Sequence, residues 1–521
     1  MYDKTLMKLH ISIARSTKIS YFYQWQNYAK YYHELQNYMH IIHLSAECYP
    51  AAKVGGLGDV VGSLPKYLNK QGEFCEVIIP KYRTPWLDEQ EYDFVWEGTA
   101  PLGHTYFSFS ILKEKDNKLG FPLYVIDIPG RFDRPGVYVD PWSGHGYWDE
   151  FERALSFQIA ALEWIRTFHN TPDVIHCHDH HTGLVPFMMK QCVRFNLLED
   201  IPTIFTVHNA EYQGQNSMIQ ADLLPPFIPR NYGLLEWNSG LNSLASALRC
   251  SWQISTVSQS YMEELGYSSS GLESLFQAES GKSQGIVNGI DSEIWDPATD
   301  PLIAFNYNSR TVKSGKKKNK EVLCKEFGLN PELPTIAFIG RLVREKGADL
   351  LPDLIKNFMN ENQEANFLLL GTGDPVLHDI FSRMEDDHFG YFDATLEYNE
   401  KLAHQMYAGS DFILMPSRVE PCGLNQMFAM RYGTIPIVRS TGGLKDTVKD
   451  IAEGDGFGIR FDDFALHLAE AAINRAIELF NNKKALQKVV SRIVKLDYSW
   501  NNSAREYINM YNELLKLKKG I

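Results

Sequence analysis

Residues 39–72 read "MHIIHLSAECYPAAKVGGLGDVVGSLPKYLNKQG". The stretch opens on an apolar run long enough for one buried strand. It closes on a segment in which Val61, Leu64 and Leu68 are spaced for one helix face, with Gly72 as a stop. Between them stands "KVGGLGDV", Lys53 to Val60, with glycine at positions 55, 56 and 58. A strand, a glycine turn and a helix N-terminus together favour anions, because backbone N–H groups point outward and glycine lets a phosphate approach the chain. The spacing is neither the dinucleotide G-x-G-x-x-G nor the P-loop G-x-x-x-x-G-K-[ST]. Taken alone, the stretch fits a phosphate or nucleotide-sugar site and a tight strand–helix turn equally well.

The same unit recurs along the chain. Strand-like runs "HIIHLSAE", "EVIIP", "PLYVIDIP", "DVIHCHD", "TIFTVHN" and "QISTVS" alternate with helix-like segments in the first half, and "TIAFIG", "NFLLLG", "DFILMPS" and "IPIVRS" do so in the second. Such alternation predicts an α/β protein with parallel sheets covered by helices on both faces. The polar, Pro/Gly-dotted, lysine-rich stretch 288–320 suits a junction, with "SGKKKNK" (Ser314 to Lys320) as a solvated loop. We expect two Rossmann-like domains facing each other across a cleft, over residues 39–285 and 286–521, preceded by a Tyr- and Gln-rich extension over 1–38.

With 521 residues there is ample chain for two cores. No apolar run approaches the roughly 18 residues of a membrane span, and the N-terminus lacks a signal-peptide pattern. Seven scattered cysteines without C-x-x-C fit a reduced cytoplasmic protein. A net charge of −13 argues against a broad nucleic-acid surface but leaves room for a local basic pocket.

In parallel sheets ligands sit beyond the carboxyl ends of the strands, so the residues after each strand carry the functional reading. "HCHDHHTGL" (176–184) puts His176 and His178 on one face, with Asp179, His180 and His181 on the loop. No dedicated metal spacing is present; hydrogen bonding to a polar substrate, core packing and helix capping all suit these histidines better than zinc does. "TVHNAEYQG" brings His208 and Asn209 out of a buried strand, a pair suited to reading sugar hydroxyls or to simple loop packing. In the second half, "GRLVREKG" supplies Arg341 and Lys346, a fork and a point charge suited to a diphosphate, though a charged surface turn has the same look. "PSRVEPCGL" puts Glu420 ahead of a Pro-Cys-Gly turn, and "STGGLKDTV" makes a second glycine turn into a helix.

Together these residues resemble the bacterial glycogen synthase and plant starch synthase family, retaining glucosyltransferases of the GT-B fold. The segments that carry the resemblance are "KVGGLGDV", "HCHDHHTGL", "TVHNAEYQG", "NGIDSEIWDP", "GRLVREKG", "GTGDPVL", "PSRVEPCGLNQMFAMRYGTIPIVRSTGGLKDTV" and "DYSW", in family order from about residue 39 to 511. The resemblance implies transfer of glucose from ADP-glucose to the non-reducing end of an α-1,4-glucan, with no metal or other cofactor and neither nucleic-acid nor membrane partners. It also implies a last helix that crosses back to the N-terminal domain. By the same resemblance, Lys53 and the Gly55-Gly56 turn, with Asp59, face the donor's diphosphate and sugar. Asp179 and His208 hold the transferred glucose, with Asn209 and Asn288 lining the cleft. Arg341 and Lys346 neutralise the leaving diphosphate, and Glu420 is the essential acid beside the glucose. Ser417, Cys422, Gly423, Leu424, Thr441, Gly442, Gly443 and Leu444 complete the substrate-binding set, with Gly443 and Leu444 at a phosphate-binding helix N-terminus.

The chain departs from the family pattern at His180, where tryptophan is usual, at Ala245, where lysine is common, and at Trp252, where aspartate is common. Two other readings compete: the same transfer from UDP-glucose, and a glucan-binding protein on an inactive transferase fold. Retention of Lys53, Asp179, His208, Arg341, Lys346 and Glu420 speaks against the second. A metal-dependent hydrolase built on the histidines is more remote.

Overall fold

The computed structural model describes residues 38–361 and 364–520. Nearly all of the 1–38 extension lies outside the described residues. The first half builds a nine-stranded sheet from β1 (His40–Leu44), β2 (Phe74–Pro80), β3 (Tyr92–Leu102), β4 (Thr105–Glu114), β5 (Leu123–Asp127), β6 (Val174–His178), β7 (Thr203–Val207), β11 (Gln253–Thr256) and β12 (Ser283–Gly285). The short strands β8 (Gln215–Asn216), β9 (Glu236–Trp237) and β10 (Gly240–Asn242) form a small separate sheet. The second half has six parallel strands, β13 (Thr335–Ile339), β14 (Asn366–Leu370), β15 (Phe392–Thr395), β16 (Phe412–Met415), β17 (Ile435–Arg439) and β18 (Ile459–Phe461).

The strand orders locate the ligand positions. In the first sheet the order is β12-β11-β7-β6-β1-β2-β5-β4-β3, so the chain runs outward from β1 to one side and returns to continue at β6 on the other. In the second the order is β15-β14-β13-β16-β17-β18, with the reversal between β13 and β16. Loops leaving the two strands at a reversal diverge, and ligands bind in the opening. The segments that follow β1 and β6 carry Lys53 and Asp179; those that follow β13 and β16 carry Arg341, Lys346 and Glu420.

The sheet is not parallel throughout, which corrects the expectation. β3 and β4 pair antiparallel along their whole length and β4 pairs antiparallel with β5, forming the edge of the first sheet. Their period-2 exposure and the Gly103 turn (φ 60°) are the hairpin's signature. "SGKKKNK" is corrected as well: it lies in the helix Val312–Glu326. Val312, Gly315, Asn319, Lys320 and Leu323 are its buried face, a helical spacing hidden by the lysine count. Lys316 Nζ donates to the carbonyls of Tyr407 and Ala408 and to Thr434 Oγ1, and Lys320 Nζ to Asp411.

The helix Gly56–Lys70 buries Leu57, Val60, Val61, Leu64 and Leu68 against the first sheet. Pro65 removes one N–H from its interior, and the Val61 carbonyl that would have accepted it takes the Cys48 thiol at 3.7 Å instead. The helix Trp500–Lys518 packs here too. Trp500, Tyr507, Tyr511 and Leu514 share a core cluster with Ile41, Val60, Leu64, Tyr67, Val174 and Ile204. Each such apolar side chain contributes about 1.5–3 kcal/mol on burial. Among the described residues no helix is long and apolar enough to cross a membrane.

Candidate active site

The glycine turn after β1 sorts its glycines by what surrounds them. Inside the helix that follows, a Cβ on Gly62 would lie 2.5 Å from the Tyr49 carbonyl oxygen, so that glycine serves close packing; around Gly55 and Gly56 of the turn there is open space. Glu47 organises the turn. Its buried carboxylate accepts the N–H groups of Val54 (2.6 Å) and Gly55 (2.9 Å) and the Tyr138 hydroxyl (2.7 Å). The first two N–H groups of the anion-friendly turn are therefore already engaged by a carboxylate, and sequence reasoning missed this residue. Lys53 Nζ pairs with Asp59 Oδ1 at 2.7 Å, the two side chains keeping roughly a third of their exposure (31% and 27%). Across the cleft, Tyr49 donates to Glu400 of the second half at 3.3 Å.

Asp179 follows β6 with φ 54°, a left-handed conformation that turns the chain away from the sheet. Its Oδ1 accepts the His208 N–H at 2.8 Å, tying the end of β6 to the end of β7. Burial pushes its carboxyl up to about 7 against that hydrogen bond. His208 is 8% exposed, and Asn209 Oδ1 accepts the Glu211 N–H. His180 and His181 sit at a cavity of about 420 Å³ shared with Glu150, Gln213, Gly214 and Asn216. His180 fills the space over Gly214, where a Cβ would meet its ring at 2.8 Å. Ala245 is fully buried, and Trp252 packs against the cluster formed with the last helix.

On the second half, Arg341 is half exposed and pairs with Glu345 at 3.2 Å. Lys346 Nζ lies 2.6 Å from Glu420 Oε1, and Ser417 donates to Glu420 Oε2 at 2.8 Å. Ser417, Glu420 and Cys422 are buried, and Gly423 (φ 74°) turns the chain into the helix Asn425–Arg431. Among the described residues no protein oxygen accepts the N–H of Gly423 or Leu424. Asn288 is buried, its Oδ1 without a partner among the described residues.

The second glycine turn packs directly on the first. A Cβ at Gly442 would lie 2.1 Å from the Glu420 carbonyl oxygen, and one at Gly443 2.2 Å from that of Cys422. Its N–H groups are engaged within the protein, contrary to the open helix terminus expected there. Gly443 donates to the Glu420 carbonyl and Leu444 to that of Thr441, both at 3.1 Å. Gly442 donates to Glu264 of the first half at 2.8 Å, and the Thr441 hydroxyl reaches the same carboxylate at 3.3 Å. Ser258 donates to the Pro421 carbonyl and Ser260 to Asp446, so the turn that carries Glu420 is held against the first half.

Among the described residues two clusters hold three potential metal ligands each: His43, His176 and His178, and Glu150, His180 and His181. In the first the nitrogens are largely spent, because His176 bonds Tyr511 and Thr206, and His178 bonds His43 and His208. In the second, His180 faces Glu150 at 3.9 Å and draws its carboxyl below the usual range.

Residues 40–278 match the model of the starch synthase catalytic domain, and residues 319–492 that of the glycosyl transferases group 1. The chain is 48% identical over 481 residues to a glycogen synthase of Flavobacterium johnsoniae, covering 92% of this chain and all of the relative. A glycogen synthase of Streptococcus pneumoniae is 36% identical over 490 residues, at the same coverage.

The chain belongs to the glycogen and starch synthase family.

Among solved structures, the catalytic domain of starch synthase IV from Arabidopsis thaliana, bound to ADP and acarbose, superposes with a TM-score of 0.82 at 31% identity, covering 92% of this chain and all of that one. The two sheets and the cleft between them are thus the GT-B architecture of this family of glycosyltransferases. A sucrose-phosphate synthase from Thermosynechococcus elongatus, 17% identical with a TM-score of 0.56, is similar in fold.

Proposed function

We propose that this protein transfers glucose, with retention, from ADP-glucose to the non-reducing end of an α-1,4-glucan and releases ADP, without a metal ion. The observation that carries the reading is the charged group at the second reversal point, Arg341 beside a Lys346–Glu420–Ser417 cluster, held against a first half that offers Lys53, Asp179 and His208. Breaking a glycosyl–phosphate bond puts negative charge on the leaving diphosphate and oxocarbenium character on the sugar. Arg341, Lys346 and the N–H groups of Gly423 and Leu424 answer the first; Glu420 and Asp179 answer the second. Cations fixed in this way take the part an ion plays in metal-dependent transferases. The glucan end enters by the cavity beside His180 and Gly214, and its hydroxyl attacks on the face from which the phosphate leaves. Buried, unpaired cysteines suit a reducing compartment, the cytoplasm.

The test is incubation with glycogen and either ADP-glucose or UDP-glucose, following nucleotide release and polymer growth with and without exhaustive chelation. Polymer growth with ADP-glucose preferred and unchanged by EDTA is the expected result. Preference for UDP-glucose would reject the donor, and loss of activity restored by zinc would reject the metal-free chemistry.

A further inference from the structure

Four histidines crowd the first reversal point, and three of them form a line. His43 on β1 and His178 on β6 are fully buried, and His208 follows β7. Because β7, β6 and β1 are neighbours in the sheet, side chains on one face at their carboxyl ends meet. His43 Nδ1 and His178 Nε2 lie 3.0 Å apart, and so do His178 Nδ1 and His208 Nε2. His176 stands beside the line but outside it, since its Nδ1 meets the Tyr511 hydroxyl at 2.9 Å and its Nε2 the Thr206 hydroxyl at 2.6 Å.

A neutral imidazole carries one N–H and one lone pair. Burial keeps the line neutral, holding His43 and His208 down at about 3 and His178 well below its ordinary value. Two N···N bonds along three neutral rings then allow two proton orders. In one, each ring donates toward His43, whose Nε2 is left as an N–H. In the other, each ring donates toward His208, and His43 Nε2 is left as a bare lone pair. The ends of the line decide between them. Among the described residues, His43 Nε2 is buried with no partner. An orphaned buried N–H is the rarer and costlier defect, so a lone pair belongs there. At the other end, among the described residues, no protein group bonds His208 Nδ1, and that atom is not among the buried unpartnered ones.

We infer that His43 and His178 are positioning residues that fix the proton of His208 on Nδ1, so that His208 meets the sugar as a hydrogen-bond donor. The inference rests on the reading of His208 as the histidine that faces the transferred glucose. It names the kind of group His208 recognises, an oxygen lone pair of a hydroxyl. It also gives the buried acceptor end at His43 a purpose: a chain that starts on a bare lone pair has a single direction. A histidine in water favours Nε2–H, so the two partners reverse its default.

Neutron diffraction from perdeuterated crystals of the full chain locates each deuteron directly. We expect deuterons on Nδ1 of His43, His178 and His208; a deuteron on His208 Nε2 overturns the inference. Kinetics supply a second reading. His178→Leu removes the donor to His208 Nε2 and should lower kcat by about tenfold to a hundredfold, the range that orienting partners of metal-bound histidines carry, with ADP affinity unchanged. His178→Gln can still present an amide N–H and should recover most of the loss. Equal kcat for His178→Leu and the parent protein overturns the positioning role. Should the parent fail to elongate glycogen yet carry its deuteron on His208 Nδ1, the relay stands and the functional reading falls.

Discussion

Lys346 and Glu420, which sequence reasoning divides between the diphosphate and the sugar, form one ion pair at 2.6 Å. Glu420 is the more buried partner, its side chain 6% exposed against 26% for Lys346. Its other oxygen is held by Ser417. On the proposed function the lysine serves two anions, the buried carboxylate and the donor diphosphate, and the two substitutions should separate. Glu420→Gln keeps the shape and releases Lys346, so ADP should bind within several-fold of the parent while the chemical step falls by roughly two decades or more.

Lys346→Ala leaves a buried carboxylate with one partner. It should weaken ADP binding together with rate, because the diphosphate is charged in ground and transition states alike, and should cost ~1–3 kcal/mol of stability. Adding Glu420→Gln to Lys346→Ala should return most of that stability. Calorimetric titration with ADP, single-turnover kinetics and urea unfolding of the four proteins complete the cycle. Strictly additive stability losses would show that the pair is not coupled.

Asp179 gives a pH dependence of defined sign. In the unfolded chain it titrates near 3.8 and in the fold at about 7. Between those values the folded chain holds a proton that the unfolded chain has released, so unfolding free energy falls as pH rises across the window. Asp179→Asn should gain stability over the parent progressively from about pH 4 to pH 7, then level off. If the ionised form holds the glucose, kcat of the parent should carry an acidic limb with a midpoint near 7. A stability difference that is flat from pH 4 to 8 contradicts the shifted carboxyl.

Much of the candidate site was legible because open α/β sheets place ligands after strands, and β1, β6, β13 and β16 are short runs buried along nearly their whole length. The glycine turns were visible as punctuation. What escaped were contacts between segments distant in sequence. Glu47 sits after a strand and resembles any loop acid until its carboxylate is seen on the Val54 and Gly55 N–H groups. Glu264 reaches Gly442 across 178 positions, and no periodicity encodes that. The lysine-rich segment misled for the opposite reason: its composition suggested solvent while its spacing carried a buried helix face.

Lys316 tests that last correction. Burial lowers its ammonium to about 7 while it serves two carbonyls and a hydroxyl near the end of the helix Glu400–Gly409. Lys316→Met keeps most of the volume and removes a donor from all three acceptors, of which the Tyr407 carbonyl keeps the Thr434 hydroxyl. Stability should fall by ~1–3 kcal/mol in chemical denaturation, with kcat per folded molecule unchanged. The neighbouring Lys317→Met, on an exposed side chain, should be within about 0.5 kcal/mol of the parent. Equal effects at the two positions would favour the solvated loop over the packed helix.

On the proposed function, Glu264 decides which glycine turn should receive the donor. The resemblance puts phosphate at the helix N-terminus of Gly443 and Leu444, but that turn is already satisfied. Glu264 takes the Gly442 N–H and the Thr441 hydroxyl, the Glu420 carbonyl takes Gly443, and the Thr441 carbonyl takes Leu444. A carboxylate and a phosphate cannot share one N–H without strong repulsion. The diphosphate should therefore rest on the Gly423 and Leu424 N–H groups, and Glu264 should act as a tie between the halves. Glu264→Ala should lower stability by about 1.5–3 kcal/mol, the worth of hydrogen bonds to a charged group, and leave ADP affinity within about twofold. Thermal unfolding and ADP titration of the variant measure both. A tenfold gain in ADP affinity would reverse the assignment, since it would mean that the carboxylate had been occupying an anion site of the donor.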